Sequence, residues 1–171
     1  MSTILANPNG AHRTITTYVT GRDADGIPLV IGNQEVEPWR ANAAILAGQA
    51  LMFVAPTATV PMSVTPMTAA VTASDPWRFA GVALEGAAAG EQVRVLAKGF
   101  GEILFDTSST AAAYSVLVAP GTTTGEFDIA TDPVDNSVNV GVCYGTEIGT
   151  EDKCLAYVNR DGINRRFEAG A

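Results

Sequence analysis

Phe79-Ala80-Gly81-Val82-Ala83-Leu84-Glu85-Gly86-Ala87-Ala88-Ala89-Gly90-Glu91-Gln92-Val93-Arg94-Val95-Leu96-Ala97-Lys98-Gly99 is the stretch from which the fold is read. Phe79 to Leu84 is a short apolar run bounded by turn formers, which fits a buried strand. Glu85 to Gly90 is a turn of small residues. After it Val93, Val95 and Ala97 fall on one face while Gln92, Arg94 and Lys98 fall on the other. That two-residue period is what a half-buried strand requires, because successive side chains of a strand point to opposite sides.

The same grammar extends in both directions. Downstream, Glu102 to Phe105, Tyr114 to Val118, Ser137 to Val142 and Cys154 to Val158 read as further short strands, with turns at Pro120-Gly121 and Gly145. Upstream, Gln49 to Val54 and Ile27 to Ile31 are strand-like, and Thr14 to Thr20 is a β-branched, aromatic run that reads as extended. Asn33 to Arg40, with Pro38 and Trp39 inside it, reads as a loop. Ala41 to Ala47 is helix-compatible for about two turns until Gly48 stops it. Residues 55–76 carry Pro56, Pro61, Pro66 and Pro76. Proline removes a ladder donor, so this stretch reads as a long extended connection. No alternation of strand and helix appears. The expectation is an all-β fold: a small antiparallel β-barrel or β-sandwich with an extended N-terminal arm and little helix. The expected division is residues 1–40 as arm and extended segments, 41–160 as the body, and 161–171 as a C-terminal tail.

Composition narrows the function classes. Of 171 residues 47% are hydrophobic and only 16% charged, against ~25% charged in an average soluble domain. A chain that covers much of its surface with partners can afford that deficit, so an oligomer is expected. The net charge is −8, and no segment is basic: residues 126–171 carry four Lys or Arg against nine Asp or Glu. Nucleic-acid binding rests on clustered Lys and Arg that neutralise phosphates, so none is expected. Arg160, Arg165 and Arg166 read as a polar, frayed tail. No apolar run approaches the ~20 residues of a membrane-spanning helix, and the first ten residues do not resemble a signal peptide; no membrane partner is expected. Cys143 and Cys154 are too few for a disulfide framework. Synthesis in a reducing cytoplasm leaves both as free thiols, with a hairpin disulfide between them as the alternative.

Catalytic chemistry finds little support. The single histidine, His12, lies in the N-terminal arm, a poor place to hold a base for a Ser–His or Cys–His pair. One His and two Cys do not make an ordinary three- or four-ligand metal site. Asp23, Asp25 and Gly26 suggest a calcium loop, but Pro28 and a missing downstream acid break the pattern. Asp132, Asp135, Glu147, Glu151 and Asp152 lie in predicted turns, where acids solubilise loops. A carboxylate-dependent glycan hydrolase built on acids such as Asp132 and Glu147 is kept as an alternative. The expectation is no enzyme, no cofactor and no metal.

The segment Phe79 to Val95, with its Gly-Val-Ala-Leu strand, Ala-rich turn and Gly-Glu-Gln-Val-Arg-Val return, resembles the capsid cement, or head decoration, proteins of tailed bacteriophages. Ile45-Leu46-Ala47-Gly48-Gln49-Ala50-Leu51 is similar to the opening strand of that family, and Gly99 to its glycine-bounded strand. The resemblance spans residues 43–120. It implies a homotrimer on the outer surface of a phage head, bound to the major capsid protein, with an N-terminal arm lying on the shell. An extended Thr-rich arm suits strand addition to a partner's sheet edge. Ile4, Leu5, Ile15, Tyr18 and Val19 in the arm, with Trp39 and Trp77 beside prolines, are the expected capsid or subunit contacts. Another virion part, such as a tail, baseplate or fibre-base module, is the main alternative.

Overall fold

The computed structural model describes residues 3–6, 12–22, 28–68, 76–106, 114–119, 123–129, 140–144 and 153–160, with side chains from residue 34 onward. Among the described residues eleven strands form one sheet: β1 Thr3–Ala6, β2 His12–Arg22, β3 Pro28–Arg40, β4 Ala50–Val54, β5 Ser63–Pro66, β6 Phe79–Ala83, β7 Gln92–Leu104, β8 Val116–Val118, β9 Asp128–Ile129, β10 Gly141–Cys143 and β11 Lys153–Asn159. Every ladder is antiparallel. The sheet curls into a half-barrel, and the one helical element among the described residues is the 3₁₀ turn Pro76–Arg78. No helix among them is long and apolar enough to cross a membrane.

The stretch that carried the sequence reading supplies the spine. β7 runs for 13 residues and merges the two strands expected on either side of Gly99. Its first half pairs with β6, through Val82↔Leu96 and Ala83↔Val95, and β6 leads on to β4 and β5. Its second half pairs with β11 from Lys98↔Asn159 to Leu104↔Lys153, and β11 leads on to β10, β8 and β9. Along its other edge β7 pairs with β3, and β3 with β2 and β1. One long strand therefore holds three wings together.

Gly81 makes the junction possible. Its φ is +135°, and a Cβ there would overlap the Leu96 carbonyl and the Val95 side chain. Only glycine lets β6 approach β7 this closely.

Both faces of the β4–β6 wing are covered, which explains why all five residues of β6 are buried. On one side lie Phe79, Val82, Leu96, Ile103, Phe105, Leu117, Phe127, Cys143, Cys154, Ala156 and Val158. Phe79 and Phe127 meet edge to face at 6.3 Å. On the other lie Ala41, Ile45, Leu51, Val64, Ala80, Ala83, Val93 and Val95, with Trp39 and Phe53 packed against them. Truncating a fully buried Phe to Ala typically costs about 3–5 kcal/mol, so the three buried phenylalanines dominate the larger core.

Three local expectations are corrected. Asn33 to Arg40 is strand, not loop: β3 pairs with β7 from Val36↔Leu96 to Arg40↔Gln92. Pro38 is accommodated because β2 pairs with β3 only as far as Thr14↔Val36, so at Pro38 the far edge of β3 lies beyond the β2 ladder. Ala41 to Ala47 is not helical. Its N–H groups turn outward, Ala41 to the Glu91 carbonyl (2.8 Å), Asn42 to Val64 (2.7 Å) and Ile45 to Ala87 (2.8 Å). Two turns of isolated helix are too short to outweigh such bonds. Finally, the proline-rich connection contains a real strand, β5, ending at Pro66. The expected turns at Pro120-Gly121 and Gly145 and most of the Ser137–Val142 alternation lie outside the described residues.

Candidate interaction surface

Glu37 and Arg160, 123 positions apart, form an ion pair inside the body. Glu37, on β3, is 1% exposed. Arg160 follows β11 directly and reaches it with two parallel bonds, Nη1 to Oε2 at 2.7 Å and Nη2 to Oε1 at 2.8 Å. The Trp39 indole N–H donates to the same Oε2 at 3.0 Å. Arg160 Nη1 also donates to the Ala80 carbonyl at 3.3 Å, and its guanidinium lies 5.8 Å from the centre of the Phe53 ring. Trp39 meets Phe53 edge to face at 5.0 Å. This clasp joins β3, β4, β6 and the end of β11. Arg160 is thus no frayed tail: a buried carboxylate needs a cation, and the planar guanidinium matches it at two points. Arg165 and Arg166 lie outside the described residues.

On the surface, four aromatic rings form a continuous row. Phe100 of β7 stands directly opposite Tyr157 of β11 in the register. Their neighbours Gly99, Gly101, Ile103, Cys154, Ala156 and Val158 are buried, so strand alternation puts Phe100 and Tyr157 on the opposite face. The rings touch edge to face: Tyr157–Phe100 at 5.1 Å, Phe100–Tyr144 at 5.2 Å and Tyr144–Tyr114 at 5.7 Å. Exposure rises along the row to 45% at Tyr144 and 76% at Tyr114. Tyr114 is the one non-glycine at positive φ (68°) among the described residues. Its N–H donates to the Cys143 carbonyl at 2.6 Å, and the Cys143 N–H donates to the Ser115 carbonyl at 2.9 Å. Two bonds to β10 hold an unfavourable backbone geometry in place, and what they present is the most exposed large apolar residue among those described.

The residues expected from sequence as contacts lie elsewhere in the sheet. Ile4 and Leu5 lie on β1, opposite Thr14 and Arg13, and β1 pairs with β2 alone. Ile15, Tyr18 and Val19 lie on β2, opposite Glu35, Gly32 and Val30 of β3; the side chains of all five lie outside the described residues. β2 pairs on both edges, so among the described residues β1 is the end strand on that side of the sheet. Trp39 belongs to the clasp. Trp77 is 70% exposed on the 3₁₀ turn and is not part of the aromatic row. Phe100, Tyr114, Tyr144 and Tyr157 were missed because they are far apart in sequence and only the register brings them together.

Other polar features are modest. Arg94 holds the Glu85 carboxyl below the usual carboxylate range, chiefly by its side-chain hydrogen bonds, at 2.9 and 3.0 Å. A cleft of about 170 Å³ is lined by Gln34, Gly48, Leu84, Gly101, Glu102 and Lys153 among others, below the ~300 Å³ of ordinary small-molecule sites. It holds one carboxylate, not a facing pair. Asp132 and Glu147, like Asp23, Asp25 and Gly26, lie outside the described residues. Among those described, no three His, Cys, Asp or Glu side chains gather as metal ligands would.

No protein-family model matches the chain, and no curated protein does. Among solved structures, the fold is similar to the crystal structure of the N base of the head fibre protein gp8.5 of bacteriophage phi29. The TM-score is 0.51 at 15% identity, over 74% of this chain and 95% of that one.

Proposed function

We propose that this chain is a structural protein of a phage particle, carried on the outer surface of the head and acting by gripping its neighbours rather than by catalysis. The observation that carries the reading is the fold shared with the base of a phage head fibre over 74% of the chain. The resemblance of residues 43–120 to head decoration proteins supports the same location from an independent direction. Its partners in this reading are the major capsid protein and further copies of itself, as a homotrimer. Copies meet through the Tyr114–Tyr144–Phe100–Tyr157 row: tyrosine is enriched at interfaces, and four uncharged rings give chains of net charge −8 a point of contact that carries no like charge itself.

Cementing the shell and anchoring a fibre are the two forms this role takes, the second favoured by the structural neighbour. Heating heads with and without the protein separates them. A cement raises the temperature at which heads release DNA; a fibre base leaves it unchanged while still co-sedimenting with heads. Failure to co-sediment with heads at all overturns both.

A further inference from the structure

The two cysteines are both fully buried thiols, and their Sγ atoms lie 3.3 Å apart. β10 and β11 are neighbours, with Cys143 opposite Ala156; Cys154 is two residues away from Ala156, the diagonal position from which side chains on the same face can meet. The strands run close here. A Cβ on Gly141 would overlap the Tyr157 carbonyl, so glycine at that position draws β10 onto β11. A buried free cysteine commonly serves as a small apolar filler, and either thiol alone would carry no more meaning than that. Two sulfurs pointed at each other across adjacent strands satisfy a stricter condition, since a bond needs them only about 1.3 Å closer.

We infer that Cys143 and Cys154 form an oxidation site, a buried dithiol that closes to an intrachain disulfide once the protein leaves a reducing compartment. The co-reactant is a small-molecule disulfide. One cysteine thiolate attacks a reagent sulfur and displaces one reagent thiolate, giving a mixed disulfide; the second cysteine thiolate attacks the protein sulfur of that bond and displaces the other. The two protein thiols lose two electrons and two protons, and the reagent disulfide is reduced to two thiols. Because both sulfurs are buried, the reaction proceeds through local opening of β10, a strand of three residues. The product ties β10 to β11 and closes the ten-residue acidic connection between the cysteines, which includes Glu147, Glu151 and Asp152. This inference stands apart from the virion reading, and either can fail without the other.

The test uses the full chain, purified reduced and then incubated folded with oxidised glutathione. After quenching, the protein is unfolded in an alkylating reagent and weighed, and the Cys143 and Cys154 peptides are mapped. The expected product is monomeric, two hydrogens lighter, unalkylated and cross-linked between Cys143 and Cys154. Its melting temperature should rise by roughly 5–10 °C, the increment of a loop this short. Cys154→Ser, which leaves no resolving thiol, should stop at the mixed disulfide with glutathione on Cys143. Two alkylated thiols after prolonged incubation, two bound glutathiones, or a cross-link between chains would each overturn the inference.

Discussion

Replacing Arg160 by alanine removes one side chain near the end of the described chain, yet it should unsettle the body as a core mutation does. Glu37 is 1% exposed, and Arg160 faces it with both terminal guanidinium nitrogens at 2.7 and 2.8 Å. The Arg160 side chain is itself only 15% exposed. Removing one partner of such a pair strands the other charge in an apolar surrounding, at a cost of about 3–5 kcal/mol. The residual exposure of Arg160 argues for the lower half of that range. For a domain of this length each kcal/mol moves the melting temperature by roughly 2–4 °C, so Arg160→Ala should melt roughly 6–15 °C below the parent. In urea the midpoint should fall with the slope unchanged. Arg160→Lys keeps the charge but not the two-pronged contact, and should fall between the two. The double variant Glu37→Gln, Arg160→Met removes the stranded charge and should recover part of the loss. An Arg160→Ala protein within ~0.5 kcal/mol of the parent, as for a solvated surface position, would refute this account of the clasp.

Four further outcomes follow from particular contacts. Gly81→Ala should destabilise by more than ~1 kcal/mol in thermal or urea unfolding, because its φ is +135° and its Cβ would meet the Leu96 carbonyl. Gly86→Ala, whose Cβ would approach nothing closer than 3.4 Å, should stay within ~0.5 kcal/mol. Glu85→Gln should cost only ~0.2–1 kcal/mol at pH 7, since its pair with Arg94 is largely solvated. Because the folded state lowers the Glu85 pKa, that contribution is present above the ordinary carboxylate range and lost as pH falls through the lowered value; below it, parent and variant should melt alike. Tyr114→Ser with Tyr144→Ser should leave the far-ultraviolet circular dichroism unchanged while shifting sedimentation toward single chains of 17.7 kDa; an unchanged assembly would remove the aromatic row from the interface.

The β6–turn–β7 hairpin was legible because its apolar residues alternate at the period of a strand and glycines bound it. β4 and β11 were legible for the same reason. β3 was obscured by Pro38, which argues against a strand only where both edges pair, and here the β2 ladder has already ended at Val36. Ala41 and Ile45 mimic a helical face because they are four apart and both buried, but their burial comes from bridges to Val64 and Ala87. The candidate surface was hidden more deeply. Phe100 and Tyr157 come from β7 and β11, Tyr114 and Tyr144 from the ends of β8 and β10, and no local pattern announces that a register will stack them. The same holds for Glu37 and Arg160, whose partnership depends on β3 and β11 flanking the same strand.

In the reading proposed above the chain is part of a phage particle, and such particles, labelled with gold-tagged antibody against it and viewed by electron microscopy, test the central claim most directly. The account predicts gold on the outer surface of the heads. Gold restricted to tails, or particles that carry none of the protein, would contradict it.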